Sequence, residues 1–353
     1  MPATFKALSR TSGAIFRRGI WREPSLKARF WLQGMANFRT VGRMSTHTGF
    51  GNLADVAKKD ERFFGVLIWP LIDARWEVSR RLAELQRHYQ EVASIGSLLD
   101  LMPGDSKTLL RLVDANPALN LRIERPPWFT REGQLTLSIF FEDQRVYSVA
   151  FLLSKANGHR VAYVGAVQGV KQNEDSDLYK NITKDAHGLR PRDLVISLFL
   201  VLCESLDVRE VLAVQDRYRQ HRHSYFGPSG NPKVFADYDA IWQEHGAVLN
   251  FNGLHSLSPG VRVKPMESIP SKKRSVYRKR YHFLNESRTH LLKAVQCSHR
   301  PQDRRQQVRA NSVGREFAKN TIRSVQRARR KWVEGLRHTV VGSWLWSCPV
   351  LFM

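Results

Sequence analysis

The sequence predicts a mixed α+β fold in which helices pack on a mixed sheet and a helical region comes first. Two observations predict it. Residues 135–152 alternate apolar and polar side chains with a period of two on either side of Glu142 and Asp143, which is typical of a β-hairpin. Residues 160–216 have the pattern strand, polar loop, helix, strand, which is the unit in which α/β proteins place their ligands.

The segments before the hairpin are predicted to be helical. Residues 65–89 carry apolar side chains at helical spacing between arginines, which predicts one long amphipathic helix. A shorter helical region is predicted at residues 98–101 and again at 109–113, with a stop at residues 102–104, where the sequence is Met-Pro-Gly.

The segments after the hairpin are predicted from apolar runs and from proline. Pro191 suits the first turn of a helix, and residues 194–206 continue that helix with apolar side chains at helical spacing. The other predicted elements are strands at 161–168, 211–215, 248–251 and 261–263, a helix at 234–245, and a basic helix at 271–295.

Composition and charge bound the class of protein. The chain has 353 residues, of which 42% are hydrophobic, so it can fill a globular core, and its net charge of +24 favours an anionic partner. Much of the charge lies at the ends, since residues 1–50 carry nine Lys or Arg against Glu23. We therefore expect a basic N-terminal segment at 1–47, a domain at 48–297 with a helical part at about 52–125 and an α/β part at about 130–295, and a basic C-terminal extension at 298–353.

The sequence indicates a cytoplasmic protein. Its three cysteines, Cys203, Cys297 and Cys348, are odd in number and far apart, which favours a reducing compartment and no structural zinc. Arginines interrupt the apolar residues near the N-terminus, so no secretory signal is predicted, and no stretch approaches the roughly 20 apolar residues that span a bilayer. A peripheral position on the inner membrane is compatible with the basic ends.

Both ends have two interpretations. Residues 1–47 fit either a solvated terminus or an amphipathic helix that binds a membrane surface, because Ile15, Phe16, Ile20 and Trp21 lie among arginines. The last 14 residues are too short to span a bilayer but contain tryptophans that suit a membrane interface.

Five segments resemble one family of bacterial proteins. They are VYSVAFLLS at 146–154, YVGAVQG at 163–169, NITKDAHGLRPRDL at 181–194, YDAIWQEHGA at 238–247 and IPSKKRSVYRKRYHFL at 269–284. Residues 52–295 thereby resemble the VirK/YbjX family, a domain of unknown function. The resemblance implies a role in envelope homeostasis, virulence or resistance to cationic antimicrobial peptides, and it implies no catalytic residue.

The order of the elements is similar to that of the acetyltransferase-like (GNAT) fold, in which a strand and the turn into the next helix hold the cofactor. By this comparison Val164, Gly165 and Ala166 form the cofactor-binding strand, and Gly188, Arg190 and Arg192 form the phosphate-binding turn. The glycine-rich turn of that fold is absent here, and Pro191 lacks an amide hydrogen. The sequence motifs do not identify a cofactor, whereas the comparison with the acetyltransferase-like fold implies acyl-CoA.

Three residues are candidates for catalysis, each with a structural alternative. His187 is a candidate general base or a loop histidine that hydrogen-bonds its turn. Asp216 ends a predicted strand at the ligand edge of the sheet, or it caps the following turn. Tyr238 is a candidate acid for a departing thiolate, or it packs in the core with Trp242.

The predicted basic helix is a candidate anion site. Its cations cluster within ten residues, so they form either a solvated face or a contact with phosphate or anionic lipid. The residues concerned are Lys272, Lys273, Arg274, Arg278 and Arg280.

Two other kinds of site find less support. The pair His221 and His223 lacks further ligands at the usual spacing except Asp216, so no metal site is predicted. Basic and aromatic residues do not interleave as in stacking platforms, so no specific nucleic acid is predicted.

Two functions follow from these observations. The first is an envelope-homeostasis protein that binds an anionic, phosphorylated ligand between the 188–192 turn and the basic helix, with acyl transfer as its candidate activity. The second is a non-enzymatic peripheral membrane adaptor with a protein partner, which uses its basic helices on anionic lipid.

Overall fold

The computed structural model describes residues 3–16, 24–169, 176–227 and 236–298. Within them the chain forms an eight-stranded mixed sheet and nine α-helices, so the predicted mixed α+β fold is confirmed. The helices are α1 (Ala3–Phe16), α2 (Pro24–Ala36), α3 (Phe38–Thr46), α4 (Leu53–Lys59), α5 (Val78–Ile95), α6 (Ser176–Asp185), α7 (Pro191–Ser205), α8 (Tyr238–Glu244) and α9 (Ser271–Ser298). The strands are β1 (Ser106–Arg111), β2 (Leu119–Glu124), β3 (Leu135–Phe141), β4 (Gln144–Ala156), β5 (His159–Gly169), β6 (Val208–Val214), β7 (Val248–Leu249) and β8 (Leu254–Leu257).

The sheet has the strand order β1-β2-β3-β4-β5-β6-β8-β7. Neighbouring strands are antiparallel, except that β5 and β6 are parallel. The parallel pair needs a crossover, and α7 provides it, starting at Pro191 as the first helical residue. The predicted hairpin β3–β4, the strand β5, the helix α7 and the strand β6 are confirmed.

Helices cover both faces of the central strands. On one face α7 and α9 pack against each other and α7 packs on β3 to β6, with Phe199 stacked obliquely on Phe151 at 4.9 Å between ring centres. On the other face α5 and the buried residues 63–72 pack on Leu152, Tyr163 and Leu212. The strand β5 contributes alternate side chains to the two cores.

The N-terminal helices belong to the second core. Leu8 in α1, Phe30 in α2 and Met44 in α3 are each 0% exposed, and α1 packs on α3 and on residues 63–67. The interpretation of residues 1–47 as a solvated terminus is therefore wrong for α1 to α3, because burial of these side chains stabilises them in place. Ile20 and Trp21 lie outside the described residues, as does the C-terminal extension from residue 299.

The single helix predicted at 65–89 is wrong in its first half. Residues 63–73 are buried on all sides and form a short 3₁₀ segment, Phe63–Leu67, followed by irregular chain. Pro70 disfavours helix at Trp69, and Ile72 adopts a positive φ of 59°. The helix α5 begins at Val78 instead.

The helical region predicted at 98–113 is also wrong. Its second part is β1, which pairs with β2 from Ser106 opposite Glu124 to Arg111 opposite Asn120. Leucine is common in both helices and strands, and pairing with β2 decides in favour of a strand here.

Three smaller predictions differ from the structure. The polar loop after β5 contains α6, and α8 begins at Tyr238, later than expected. The closing strands are β7 and β8, whereas residues 261–263 form no strand. Among the helices described, none has the length and apolar character needed to cross a membrane.

Candidate functional site

The parallel strands β5 and β6 separate in the middle of the sheet. Their pairing extends from Arg160 opposite Val208 to Val164 opposite Ala213, and no described strand pairs with that edge of β5 beyond Val164. At this point Gly165 is an extra residue in β5 relative to β4, which makes a β-bulge. A side chain at Gly165 would lie 2.2 Å from the carbonyl oxygen of Glu132, so the close approach requires glycine.

The side chain of Tyr238 fills the gap between the two strands. Its hydroxyl accepts a hydrogen bond from the Val167 amide at 2.8 Å and donates one to the Val167 carbonyl at 3.0 Å. The neighbouring Trp242 donates from Nε1 to the carbonyl of Val214, the last residue of β6. Tyr238 is 1% exposed, and burial raises the pKa of its hydroxyl. The hydroxyl is therefore protonated at neutral pH and lies at the open edge of β5.

The carboxyl of Glu132 lies beside this gap. Burial raises its pKa to about 7, although the charges of Arg131 and Arg219 oppose the rise. The residue as a whole is half-buried, but Oε2 is shielded from solvent and has no hydrogen-bond partner in the described part of the chain. Its Oε1 accepts from Nε2 of Gln220 at 2.9 Å. A carboxyl with a pKa near neutrality is suited to general acid–base catalysis.

Asp216 is held next to Tyr238 by an arginine. Burial acts to raise the pKa of Asp216, but hydrogen bonds and ion pairs from Arg219 at 3.2 Å and Arg222 at 3.1 Å hold it below its usual value. The Arg219 guanidinium stacks on the Tyr238 ring, 3.6 Å from its centre. The structure thus brings Asp216 and Tyr238 together through Arg219, and Asp216 orients this arginine rather than facing the gap as a free base.

His187 lies against α9. Its backbone has a positive φ of 52°, and its carbonyl accepts from Nε and Nη2 of Arg280 at 3.2 and 3.0 Å. Its ring packs edge-on against Phe283, and partial burial together with the charges of Lys279 and Arg280 lowers the pKa of the imidazole. None of its contacts in the described residues involves β5 or α8, so the structure separates His187 from Tyr238.

The two arginines of the predicted phosphate-binding turn differ in their surroundings. Arg192 forms ion pairs with Asp193 at 3.0 Å and with Glu244. Arg190 is exposed, and its side chain has no ion pair with any described residue. Asp193 is a carboxylate in the first turn of α7, and it binds Arg192. Arg190 is therefore the arginine of this turn that is open to a ligand.

A cavity of about 230 Å³ lies between α7, α8 and α9, where the anionic ligand was predicted. Its charges are mixed, since Asp193 and Glu244 line it together with Arg262, Lys264 and Arg280. The other predicted anion-binding residues lie on the first turns of α9. Lys272, Lys273 and Arg278 are exposed, whereas Arg274 donates from Nε to the Ile269 carbonyl at 3.0 Å.

The histidine pair at 221 and 223 is neutral at physiological pH. Burial and nearby arginines lower the pKa of both imidazoles to about 4. No group of three or more His, Cys, Asp or Glu in the described residues is arranged to hold a metal ion.

The residues that the sequence analysis places at this gap include Tyr238 and Gly165 but not Glu132 or Arg219. Glu132 lies in the loop before β3, where no motif singles out a carboxylate. Its burial results from the approach of β5 and of the 3₁₀ turns after β6, which are distant in sequence. The Pro126-Pro127 pair before this loop was the one local signal of an irregular segment.

The geometry defines a mixed α+β protein in which a buried tyrosine hydroxyl and a carboxyl of raised pKa lie at a gap between two parallel strands. Comparison of sequences then identifies its family. The chain belongs to the family described as "Protein of unknown function (DUF535)", whose sequence pattern matches residues 19–293. The predicted membership in the VirK/YbjX family is confirmed, and the match begins earlier than residue 52, in agreement with the packing of α2 and α3.

Three bacterial proteins are similar in sequence. The chain is 25% identical to "Uncharacterized protein YbjX" of Escherichia coli over 273 residues, which cover 75% of this chain and 82% of that protein. It is 26% identical to an "Uncharacterized protein" of Haemophilus influenzae over 263 residues, or 72% of this chain and 84% of that protein. A second Haemophilus influenzae protein is 31% identical over 155 residues, or 44% and 50% of the two chains.

Proposed function

We propose that this protein transfers an acyl group from an acyl thioester such as acyl-CoA to a nucleophilic acceptor at the gap between β5 and β6. One observation carries the proposal: the Val167 peptide group, at an open strand edge, is bonded by the protonated hydroxyl of Tyr238 beside a carboxyl with a pKa of about 7. The similarity of the strand order to the acetyltransferase-like fold supports it as an analogy.

Each side chain at the gap has a distinct role in this proposal. The Val167 amide donates to the thioester carbonyl oxygen, in place of its present bond to Tyr238, and stabilises the negative charge that develops there. Glu132 accepts the proton of the acceptor amine or hydroxyl as the new bond to the acyl carbon forms. Tyr238 gives its proton to the departing thiolate, so that a free thiol and the acylated acceptor are the products.

The phosphates of the donor are assigned to the surface around the 188–192 turn. Arg190 is exposed and unpaired with any described carboxylate, and the exposed Lys272 and Lys273 lie at the start of α9, the helix whose Arg280 holds the same turn. Guanidinium groups bind phosphate through two parallel hydrogen bonds, so Arg190 is the residue we assign to this contact. The VirK/YbjX resemblance supports a component of the bacterial envelope as the acceptor.

Binding and turnover of acyl-CoA test the proposal. Calorimetric titration of the purified full chain with acetyl-, octanoyl- and palmitoyl-CoA should give saturable binding to at least one of them. Arg190→Ala should weaken that binding at least fivefold. The matched control, Arg209→Ala, replaces an exposed arginine at the end of β6 far from the gap and should leave it unchanged.

Chemistry is tested separately by mass-spectrometric detection of free CoA with amine and alcohol acceptors. Tyr238→Phe and Glu132→Gln should each lower turnover by about 10²-fold or more while binding is retained, since general acid–base groups contribute this much. Absence of binding to every acyl-CoA, or full turnover in both variants, would refute the proposal.

The peripheral membrane adaptor is a second candidate, favoured by the exposed cations of α9. Lys272, Lys273 and Arg278 have no carboxylate partner in the part of the chain that the structure describes. Co-sedimentation of the chain with vesicles of phosphatidylglycerol and phosphatidylcholine should then depend on these residues. If replacing all three with Ala leaves sedimentation unchanged and no acyl-CoA is turned over, neither candidate stands.

A further inference from the structure

We propose a second binding site, separate from the gap, in which a phosphate group of a ligand occupies the cavity between α2 and the start of α5. The cavity has a volume of about 410 Å³, which is in the range of small-molecule pockets. It is lined by Arg29, Gln33, Asn37, Arg75, Arg81 and His223, among others.

The cavity contains a buried guanidinium that has no carboxylate partner among the described residues. Arg81 is 3% exposed and donates to three backbone carbonyls, including those of Trp76 at 2.7 Å and Val66 at 2.9 Å. These carbonyls accept from Nε and Nη1 of Arg81, but they do not neutralise its charge. Burial lowers the pKa of Arg81 to about 10, and the charge of Arg29 adds to the effect. At neutral pH the guanidinium is still charged, so an anion in the cavity would be stabilised by it.

The side of α2 that faces the cavity is polar and carries a second free cation. Arg29, Gln33 and Asn37 are spaced four residues apart, which places them on one side of the helix and of its continuation. Arg29 is exposed and forms no ion pair with a described residue. The carboxylate of Asp73 does not compensate this charge, because Arg75 already binds it through two nitrogens, with a shortest distance of 2.6 Å.

The remaining groups at the cavity also favour an anion. Burial, and after it the charges of Arg81 and Arg29, lowers the pKa of His223 to about 4, so the imidazole is neutral and adds no negative charge to the cavity. The first turn of α5 starts here, and its helix dipole adds positive potential to that of the two guanidinium groups. Among the lining residues that the structure describes, Glu77 is the one carboxylate, and it is exposed.

The charges that line the cavity at α5 favour phosphate more than those that line the cavity beside α9. The cavity beside α9 carries Asp193 and Glu244 against its cations, whereas the cavity at α5 has, against Glu77, two arginines that form no ion pair within the described part of the chain. The neutral amide of Gln33 supplies hydrogen-bond donors to phosphate oxygens, and Nδ2 of Asn37, which already donates to the Gln33 carbonyl at 2.9 Å, has one further N–H to offer. The assignment does not depend on acyl transfer at the gap.

Titration of the full chain with inorganic pyrophosphate, inorganic phosphate and glycerol 3-phosphate at low ionic strength tests this site. We expect saturable binding of at least one of them, weakened tenfold or more by Arg29→Ala and further by Arg29→Glu. The matched control is Lys27→Ala, an exposed cation on α2 that does not line the cavity, and it should bind like the unmodified chain. Tyr238→Phe should also leave this binding unchanged, which separates the site from the proposed acyl transfer.

Vesicles identify the source of the phosphate. Sedimentation with phosphatidic acid vesicles that is lost in Arg29→Ala, with weak binding of the soluble phosphates, would support a lipid headgroup. Binding of the soluble phosphates that depends on Arg29, without vesicle binding, would support a free phosphorylated compound. If Arg29→Ala and Lys27→Ala behave alike with every probe, or if nothing binds, the proposal is wrong.

Discussion

Replacement of Glu132 by glutamine should change how the stability of the protein depends on pH. In the folded protein burial raises the pKa of this carboxyl to about 7, whereas an unfolded chain leaves it near 4.5. Between these two values the folded state retains a proton that the unfolded state has released, so raising the pH favours unfolding. The carboxyl therefore contributes stability that is fully present below the unfolded pKa and is lost as the pH rises through 7. Glutamine is neutral throughout and removes this dependence.

The size of the change in stability follows from the shift in the pKa of Glu132. Integrating the proton difference between pH 5 and pH 8 gives about 2.5 kcal/mol, by which the free energy of unfolding of Glu132→Gln should rise relative to the unmodified chain. Urea unfolding of both proteins at several pH values, followed by circular dichroism, measures it. The control Glu61→Gln changes an exposed carboxylate and should show no such trend. A difference between Glu132→Gln and the unmodified chain that is the same at pH 5 and pH 8 would refute the assignment of a buried, protonated carboxyl.

Two further predictions concern the core and the cysteines. Leu291→Ala in α9 removes a side chain that is 0% exposed and should lower the free energy of unfolding by about 2–5 kcal/mol. Leu32→Ala, at a position 71% exposed, should lower it far less. Urea unfolding compares the two variants, and equal losses would contradict the packing of α9. Cys297 is exposed, whereas Cys203 is buried and burial raises the pKa of its thiol. In a Cys348→Ser variant, an aromatic disulfide reagent should therefore modify one thiol in the folded protein and two after denaturation. Rapid modification of both thiols in the folded protein would show that α7 is not packed as described.

The central part of the fold could be predicted from the sequence because local signals and tertiary packing agree there. The hairpin β3–β4 alternates in hydrophobicity, and Pro191 marks the first turn of a helix whose apolar run is long enough to be buried on several sides. The prediction failed where local signals and tertiary packing disagree. Residues 63–72 are apolar throughout and buried by the N-terminal helices, so they needed no helical period.

The same reason explains which residues of the proposed site the sequence points to. Tyr238 was a candidate because its position follows from the order of the elements. The interpretation of His187 as a base in the site finds no support in its contacts, because Arg280 binds its carbonyl from 93 residues away and holds the turn against α9. The raised pKa of Glu132 arises from burial by β5 and by the turns after β6. These segments are distant from Glu132 in sequence, so a local sequence pattern does not predict the burial.

The domain predicted at 48–297 would also lack part of its own core. Leu8, Phe30 and Met44 are buried against residues that lie after position 48, so cutting the chain there would expose their apolar partners. Binding is therefore to be measured on the full chain.

The hydroxyl of Tyr238 has a consequence for how copies of this protein meet. A strand edge with free amide and carbonyl groups pairs readily with strands of other molecules, which leads to aggregation. Tyr238 occupies both groups of Val167, and Trp242 occupies the last carbonyl of β6, so the gap in the sheet offers these backbone groups to no passing strand. A strand from another molecule could pair with Val167 only by displacing the Tyr238 hydroxyl from both groups.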